Sequence, residues 1–328
     1  MSKKNKPMRV KLIGNPGAGN VLESAARIEQ VRGYLEENGL KVDVALAHPK
    51  YKAIPIVRKA IKDGYDVVIA MGGDGTLGAV IRGIGRSKMR LGIIAAGTEN
   101  DIAKSLGIPE DLKEACALIA SGHTRKLDLG VISTKKQKKF YFFMVAAIGL
   151  TATVYPEISE VPEGKLAGIK DAVMTLIKYN PKPKVYLTLD NDSKIEVESM
   201  LVTIANTPVS GAKNLVAPDA SLEDGLLDIA VYPGFTKAEL LSYFLKSANV
   251  GSTPDGRIQR YRARKIKVKT SPKLDVAAEG TVLGKGSCRI KVLHDALWVI
   301  APEPGVGAEK PKEETIKETV EPVSPVTK

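Results

Sequence analysis

The sequence has few of the residues from which several classes of protein site are built. It contains 2 cysteines among 328 residues, Cys116 and Cys288, so neither a disulfide framework nor a thiolate metal cluster is expected. Both cysteines are expected to be core thiols in a protein of the reducing cytoplasm. The three histidines, His48, His123 and His294, lack the spacing of a metal-ligand set.

Aromatic side chains and long apolar runs are scarce as well. Aromatic residues make up 5% of the chain and do not alternate with the basic clusters, which argues against a stacking surface for nucleic acid. The longest apolar run, 140–150, is shorter than the roughly 20 residues that a membrane-spanning helix needs, and it predicts a buried strand. The basic start of the chain lacks the apolar stretch of a secretory signal.

The residues that are plentiful indicate a globular protein with an anionic partner. Hydrophobic residues make up 44% of the sequence, enough to bury a sizeable core. Lysine and arginine total 49 against 37 acidic residues, which gives a formal charge of +12. Such a charge suits phosphates, nucleic acid or an anionic membrane, and does not by itself choose among them.

Strand-like and helix-like stretches alternate over the first part of the chain. The predicted strands are 9–14, 41–47, 66–71 and 90–96, and the predicted helices are 21–37, 53–63, 77–85, 99–106 and 110–120. This alternation predicts an α/β domain over 1–127 with a mainly parallel sheet covered on both faces.

The pattern changes after this domain. Many short strands separated by turn signals predict an antiparallel β-sandwich-like domain over 128–301, with helices only at 164–178 and 236–247. The proline- and glutamate-rich tail, 302–328, is expected to be disordered.

A glycine turn with an internal aspartate follows the predicted strand 66–71. Gly72, Gly73 and Gly75 would let the backbone approach phosphates at a helix N-terminus, and Thr76 adds a hydroxyl donor. No lysine of a P-loop follows to offset the phosphate charge. Asp74 increases the negative charge there, and a Mg²⁺ ion between its carboxylate and the phosphates would resolve the conflict.

The same turn has two other interpretations. Residues 73–78 formally satisfy GxGxxG, and Glu99 lies near the distance expected for a ribose-binding acid, as in a dehydrogenase. An aspartate inside the loop would repel a pyrophosphate bound without metal, which argues against that interpretation. The glycines can also simply form tight turns.

A second polar turn follows the next predicted strand. Thr98, Asn100 and Asp101 lie after strand 90–96, at the sheet edge where open α/β sheets bind ligands. A chemical role for Asp101 and simple helix capping are both consistent with this position.

Several stretches resemble, in order and spacing, the diacylglycerol kinase catalytic domain family of lipid kinases, which includes sphingosine kinases and bacterial lipid kinases. They are NPGAG (15–19), GGDGTLGAV (72–80), GIIAAGTENDIAKSLGIP (92–109), LDLGVI (127–132), AAIGLTATV (146–154), GKLAGIKDAV (164–173) and APDASLEDGLLDIAVY (217–232). The resemblance covers nearly the whole chain except the tail. The GGDGT and GTxND elements are specific in combination, whereas each alone is close to elements of NAD kinases.

The resemblance implies ATP in a cleft between the two domains and phosphoryl transfer to a lipid hydroxyl. The positions that match the family's ATP contacts are Asn15, Pro16, Gly17, Ala18, Gly19, Gly72, Gly73, Asp74, Gly75, Thr76, Leu77, Gly78 and Thr98. It also implies a structural Mg²⁺ held by Asp224 with Ser221 and Leu226, although EDG at 223–225 is in itself a strong turn signal.

The chain departs from the family pattern at four places. Ala96 stands where proline is usual, Glu99 stands where a small residue is common, and no threonine in 44–50 matches the family's adenine-side threonine. The family's DGE element, whose glutamate is the proposed base, matches Glu279, Gly280 and Thr281 here. Threonine cannot act as a carboxylate base, so Asp74, Asp101 and Glu279 are the candidate catalytic carboxylates, in that order.

These observations predict an ATP- and Mg²⁺-dependent lipid kinase, with a catalytically weak lipid- or nucleotide-binding protein and a NAD kinase as alternatives. We expect a lipid substrate and no nucleic-acid partner. Peripheral contact with an anionic membrane is expected through 135–139, a predicted hairpin tip, and 257–270. The acceptor lipid and the oligomeric state, a homo-oligomer included, are left open. An Asp74→Asn variant is expected to keep its stability and to lose turnover.

Overall fold

A computed structural model of the chain describes residues 7–16, 21–150, 183–208, 216–250 and 255–304. Gly17, Ala18 and Gly19, the predicted helix 164–178 and most of the predicted tail lie outside these ranges. Within them, no helix is both long enough and apolar enough to cross a membrane.

Strands and helices alternate in the first part of the chain, as predicted. They are β1 (Arg9–Gly14), α1 (Val21–Glu37), β2 (Lys41–Leu46), a 3-10 turn (Lys50–Lys52), α2 (Ala53–Lys62), β3 (Val67–Gly72), α3 (Asp74–Ile84), β4 (Arg90–Ala95), α4 (Asp101–Ser105) and α5 (Leu112–Ser121). The strands pair in parallel in the order β2-β1-β3-β4.

Helices cover both faces of this parallel sheet. Ile28 and Val31 of α1 share one apolar cluster with Ile119 of α5, whereas Val57 of α2 packs with α3 on the opposite face. The central strand β3 is therefore buried on both sides, and every residue from Val67 to Met71 is buried. The prediction of a parallel sheet between two helical layers is confirmed.

The second part of the chain is mostly antiparallel. Its elements are β5 (Thr124–Thr134), β6 (Phe140–Phe142), β7 (Val145–Gly149), β8 (Lys184–Leu189), β9 (Ser193–Ala205), β10 (Leu227–Pro233), α6 (Lys237–Val250), β11 (Gln259–Ala263), β12 (Lys265–Ser271), β13 (Asp275–Ala278), β14 (Thr281–Lys285) and β15 (Cys288–Ile300). Alternate residues of facing strands form one core, to which Val185, Val202, Val268 and Ile290 belong. The predicted β-sandwich-like region is confirmed.

The last strand joins the two parts, which the sequence pattern did not predict. The strand β15 runs from Cys288 to Ile300. Its first half pairs with β12 and β5, and after a register shift Trp298 and Val299 pair in parallel with β4. The sheet is therefore continuous across the two parts of the chain, and residues 127 and 128 lie inside β5.

The prediction of one buried strand over 140–150 is wrong. This run forms two strands, β6 paired with β5 and β7 paired with β9 and β13. At the break, the backbone N–H groups of Phe143 and Met144 donate to Oε1 of Glu279 at 3.1 and 2.8 Å. Because a side chain satisfies these donors, β6 can end and the chain can pair with other strands through β7 without leaving the two N–H groups unpaired.

Candidate functional site

The two predicted polar turns meet at the carboxyl ends of β3 and β4. A Cβ atom added to Gly97 would lie 2.3 Å from Cα of Gly73, so the backbones are in direct contact and Gly97 requires glycine, whereas a Cβ on Gly73 would make a tight contact of 3.2 Å with Cα of Gly97. The N–H of Ala96 also donates to the carbonyl of Gly72 at 3.2 Å. The GGDGT and GTEND segments thus form one surface at the edge of the parallel sheet.

Asp74 joins the two turns through its carboxylate. Its Oδ2 accepts the N–H of Asp101 and its Oδ1 accepts the N–H of Ile102, each at 3.1 Å. These are first-turn donors of α4, so Asp74 caps that helix from a neighbouring segment, and its charge lies at the positive end of the helix. The expectation that Asn would preserve stability overlooked this capping.

Asn100 closes the second turn. It has a left-handed backbone, with φ of 55°, and its side chain accepts from the N–H of Gly97 and donates to the carbonyl of Gly97, both at 2.9 Å. Thr98 is exposed at the tip of this turn, and Asp101 is buried at the start of α4. Asp101 is thus the first residue of α4, and its N–H is capped by Asp74. The interpretation of Asp101 as the capping residue of this helix is therefore wrong.

The first strand contributes Asn15 to the same edge. Its Nδ2 lies 3.4 Å from Oγ1 of Thr76, and its N–H lies 3.4 Å from the carbonyl of Met71. Thr76 is buried below the turn, and among the described residues no side chain makes a capping hydrogen bond at the N-terminus of α3. Asn15 and Thr76 therefore lie together at the N-terminus of α3, and a helix N-terminus favours an anion.

Glu279, which lies between β13 and β14, packs beside Gly78 of α3, one helical turn after Asp74. An added Cβ on Gly78 would be 3.3 Å from Oε2 of Glu279 and 3.4 Å from Nη1 of Arg82. Burial raises the pKa of Glu279, and the charge of Arg82 partly opposes this shift. Glu279 is in the same region as Asp74, whereas Thr281, which matches the family's glutamate, is exposed on β14.

The predicted metal residues lie in the loop before β10. Asp224 accepts the N–H of Leu226 at 2.9 Å through Oδ1, and its Oδ2 pairs with the guanidinium of Arg262. Arg262 also reaches Asp228 at 3.2 Å. The positive charge beside Asp224 therefore comes from an arginine, and this arrangement does not fit a metal unless Arg262 moves. A Mg²⁺ ion at Ser221, Asp224 and Leu226 stays a prediction.

Asp128 is a structural residue that the site prediction missed. It is fully buried, and its carboxylate accepts from the N–H of Gly225 at 2.6 Å and from that of Asp295 at 3.1 Å, with Nδ1 of His294 at 2.8 Å. It fastens the 221–226 loop to β5 and β15. Asp128 belongs to the LDLG stretch at 127–130, which was part of the family resemblance and could have indicated that this aspartate has a role.

Comparisons with known proteins agree with this architecture. The family model "Diacylglycerol kinase catalytic domain" matches residues 9–132, and "YegS C-terminal NAD kinase beta sandwich-like domain" matches residues 145–301. The chain is 28% identical over 304 residues to a diacylglycerol kinase of Bacillus subtilis, covering 90% of this chain and 97% of that protein. It is 27% identical over 303 residues to one of Mycobacterium tuberculosis, covering 90% and 96%.

A solved structure has the same fold. The crystal structure of a diacylglycerol kinase from Bacillus anthracis superimposes with a TM-score of 0.69 at 20% identity, covering 92% of this chain and 99% of that one. Together with the matched glycine turns and the sandwich-like second part, these comparisons show that the chain belongs to the diacylglycerol kinase catalytic domain family, in the form that carries a YegS-type C-terminal domain.

Proposed function

We propose that this protein is an ATP-dependent lipid kinase that transfers the γ-phosphate of ATP to a lipid hydroxyl. The observation that carries the proposal is the contact of the two glycine turns, in which Gly73 packs on Gly97 and Asp74 bridges to α4. This contact builds an anion-binding edge with a carboxylate in its centre. The names of the curated relatives support a diacylglycerol-like acceptor.

In this proposal the nucleotide lies along the edge formed by Asn15, Gly72–Gly78 and Thr98. The contacts predicted for residues 17–19, which lie outside the described ranges, stay predictions. The N-terminus of α3 favours the phosphates, and the close glycine contact lets them approach the backbone. A Mg²⁺ ion would neutralise charge on the transferred phosphoryl group. Asp74 fits this ion, because each oxygen of a carboxylate has a second acceptor position beyond the N–H bond that it makes here.

The transfer step needs a group that takes the proton of the lipid hydroxyl. The hydroxyl oxygen forms the new bond to phosphorus while the bond to the departing ADP oxygen breaks, and the proton goes to a carboxylate. Asp74 is the first candidate, since it lies in the turn itself. Glu279 is supported by its raised pKa, because a base with a pKa nearer to neutral accepts a proton more readily. Asp101 is the third candidate.

Transfer of the γ-phosphate of labelled ATP to diacylglycerol in mixed micelles tests this function. The match of residues 145–301 to a NAD kinase β-sandwich-like domain supports one further candidate function, that of a NAD kinase. Adding NAD to the same reaction separates the two, because only a NAD kinase would form labelled NADP. A catalytically weak binding protein would bind ATP without labelling either acceptor.

We propose peripheral binding to anionic membranes through a basic face on the sandwich. The exposed basic side chains of β12 are Lys265, Lys267 and Lys269, and those of β15 next to them are Arg289 and Lys291. Lys265 stands opposite Lys291, and Lys267 stands opposite Arg289. Like charges in opposed positions destabilise a sheet, so an anionic surface that neutralises them would stabilise the protein.

The predicted hairpin tip adjoins this face. Residues 135–139 connect β5 to β6 and are exposed, which confirms the hairpin, and Ser133 pairs with Arg289. Each basic residue near an anionic bilayer contributes about 1 kcal/mol of binding energy. A surface that collects lysines from three segments is therefore suited to reversible, salt-sensitive docking.

Sedimentation with vesicles tests the basic face. Replacing Lys265, Lys267, Arg289 and Lys291 with Gln is expected to abolish binding to phosphatidylcholine vesicles that contain 30% phosphatidylglycerol. The control removes the same charge from exposed residues of the α/β part and should retain binding; it replaces Arg27, Lys62, Lys88 and Lys113 with Gln. Equal loss in both variants would exclude the basic face as the docking surface.

A further inference from the structure

A small cavity lies at one end of the basic face, where the 221–226 loop meets β12 and β15. Its volume is about 220 Å³, and its lining includes Asp224, Gly225, Arg264, Lys265, Lys291 and His294. Sites for drug-sized ligands occupy roughly 300–1,000 Å³, whereas a water molecule takes about 30 Å³. The cavity therefore has room for a single group of the size of a phosphate and not for a nucleotide.

Three of the lining side chains are cations that strand pairing brings together. Lys265 stands opposite Lys291, and the N–H of Val292 donates to the carbonyl of Arg264 at 3.0 Å. Within the described part of the chain, none of these three cations has an ion pair of 4.0 Å or less with a carboxylate. An anion in the cavity would neutralise charges that otherwise repel one another.

The acidic side chain of the lining does not cancel this positive charge. Asp224 pairs with Arg262, which also reaches Asp228 at 3.2 Å. When both of these carboxylates and Arg262 are counted with the three cations of the lining, four positive and two negative charges leave a net charge of +2. The cavity is therefore suited to a ligand with more than one negative charge.

A fully buried carboxylate fixes another part of the lining. Asp128 accepts the N–H of Gly225 at 2.6 Å and that of Asp295 at 3.1 Å, and it also accepts from Nδ1 of His294 at 2.8 Å. An added Cβ on Gly225 would lie 3.2 Å from the same Nδ1, so the ring packs on the loop. These contacts join the loop to β5 and β15 and hold the cavity in a defined shape before a ligand binds.

We propose that this cavity binds one phosphomonoester group, which belongs either to the headgroup of a phosphorylated lipid or to a free phosphate compound. A phosphomonoester has a charge of about −1.5 to −2 at pH 7 and three acceptor oxygens, which matches three cations and a net charge of +2. A phosphodiester has a single negative charge and two free oxygens, and it would leave one cation without a partner.

The product of the proposed lipid kinase reaction is a phosphorylated lipid and thus a ligand of this class. The inference deepens the proposed membrane docking, because it adds one selective site to a surface that otherwise attracts any anionic lipid. It rests on that proposal for the lipid form of the ligand only. Binding of a free phosphate compound in the cavity does not depend on it.

Sedimentation with two kinds of vesicles tests the lipid form. Phosphatidylcholine vesicles contain either phosphatidic acid or phosphatidylglycerol, in amounts that give the same surface charge, and EDTA prevents bridging by metal ions. The unmodified protein should bind the vesicles with phosphatidic acid about tenfold more tightly. Arg264→Gln and Lys291→Gln should each bring this ratio close to one. Both side chains are exposed, so neither change creates a cavity in the core.

Lys267→Gln is the matched control for the loss of one charge. Lys267 is exposed on β12 and lies outside the lining of the cavity. This change should weaken binding to both kinds of vesicles by a similar factor and leave their ratio unchanged. A tenfold ratio that persists in both cavity variants, or that Lys267→Gln abolishes as well, would overturn the assignment of the preference to the cavity.

Calorimetric titration of the full-length chain with inorganic phosphate and with glycerol phosphate tests the free form. Binding that Arg264→Gln abolishes, together with a vesicle ratio near one, would identify a soluble ligand. A tenfold vesicle ratio without calorimetric binding would identify the lipid headgroup. A ratio near one together with phosphate binding that is absent, or unchanged in Arg264→Gln, would overturn the inference. If the unmodified protein binds neither kind of vesicle, the proposed membrane docking fails, and the calorimetric result alone decides on the cavity.

Discussion

Replacing Asp74 with Asn separates the structural role of this carboxylate from its chemical role. Asp74 accepts one backbone N–H on each oxygen, both at 3.1 Å. Asn has one oxygen, so one bond is lost and an amide NH₂ faces the other N–H of α4. A hydrogen bond to a charged group contributes about 1.5–3 kcal/mol, and the charge at the helix N-terminus contributes about 0.3–1 kcal/mol.

The side chain is only partly buried, so solvent reduces these values, and we expect the free energy of unfolding to fall by about 2 kcal/mol. Chemical denaturation measures this change. Asp192→Asn is the control, because Asp192 is an exposed turn residue. A fall of less than about 0.5 kcal/mol, equal to that of the control, would refute the capping role. Lipid phosphorylation by the folded fraction then reports the chemical role separately, with an expected loss of roughly 10² to 10⁴ in rate.

Changes at Gly97, Glu279 and Arg262 test other contacts of the site, and Gly33 in α1 provides a glycine control. Gly97→Ala should lower the free energy of unfolding by about 3 kcal/mol and abolish ATP binding, because the new Cβ would lie 2.3 Å from backbone. Gly33→Ala in α1, with nothing within 4 Å of the new Cβ, should stabilise by about 0.5–1 kcal/mol. Glu279→Ala should cost about 3 kcal/mol through two unpaired N–H groups, whereas Glu279→Gln keeps the accepting oxygen and should cost less than about 1 kcal/mol. Arg262→Gln should cost at most about 1 kcal/mol, since the side chain is 43% exposed, and Mg²⁺ should then raise the Tm more than in the unmodified protein.

The raised pKa of Glu279 gives a pH-dependent test. Because the folded pKa lies above the unfolded value of about 4.5, the folded state holds the proton more tightly. The corresponding stabilisation is complete below the unfolded pKa and is lost as the pH rises through the folded pKa. The stability of the unmodified protein relative to Glu279→Gln should therefore fall as the pH rises above about 4.5. A constant or rising difference would contradict the buried environment of this carboxylate.

The sequence predicted those elements whose pattern is local. Strand β3 follows from an unbroken apolar run, because a central parallel strand is buried on both faces. Helix α1 follows from the apolar spacing of 21–37. The start of α3 was placed too late, at residue 77 instead of Asp74, because glycines in its first turn have low helix propensity.

The remaining features depend on residues that are distant in sequence. The break between β6 and β7 requires Glu279, which lies 136 residues after Phe143. The positions of Lys50 over Gly75 and of Arg262 beside Asp224 likewise arise only when separate segments pack together. Motif resemblance identified the glycine turns, but it could not show that Asp74 caps a helix.

Phosphoryl transfer from ATP is the measurement that tests the central claim most directly. The full-length protein is incubated with Mg²⁺ and ATP labelled in the γ-phosphate, together with diacylglycerol, monoacylglycerol, sphingosine and phosphatidylglycerol in mixed micelles, and with NAD as a water-soluble acceptor. We predict that the label appears in a lipid, that it requires Mg²⁺, and that Gly97→Ala abolishes it. Label in NADP, or the absence of label from every lipid while ATP still binds, would contradict the assignment of a lipid kinase.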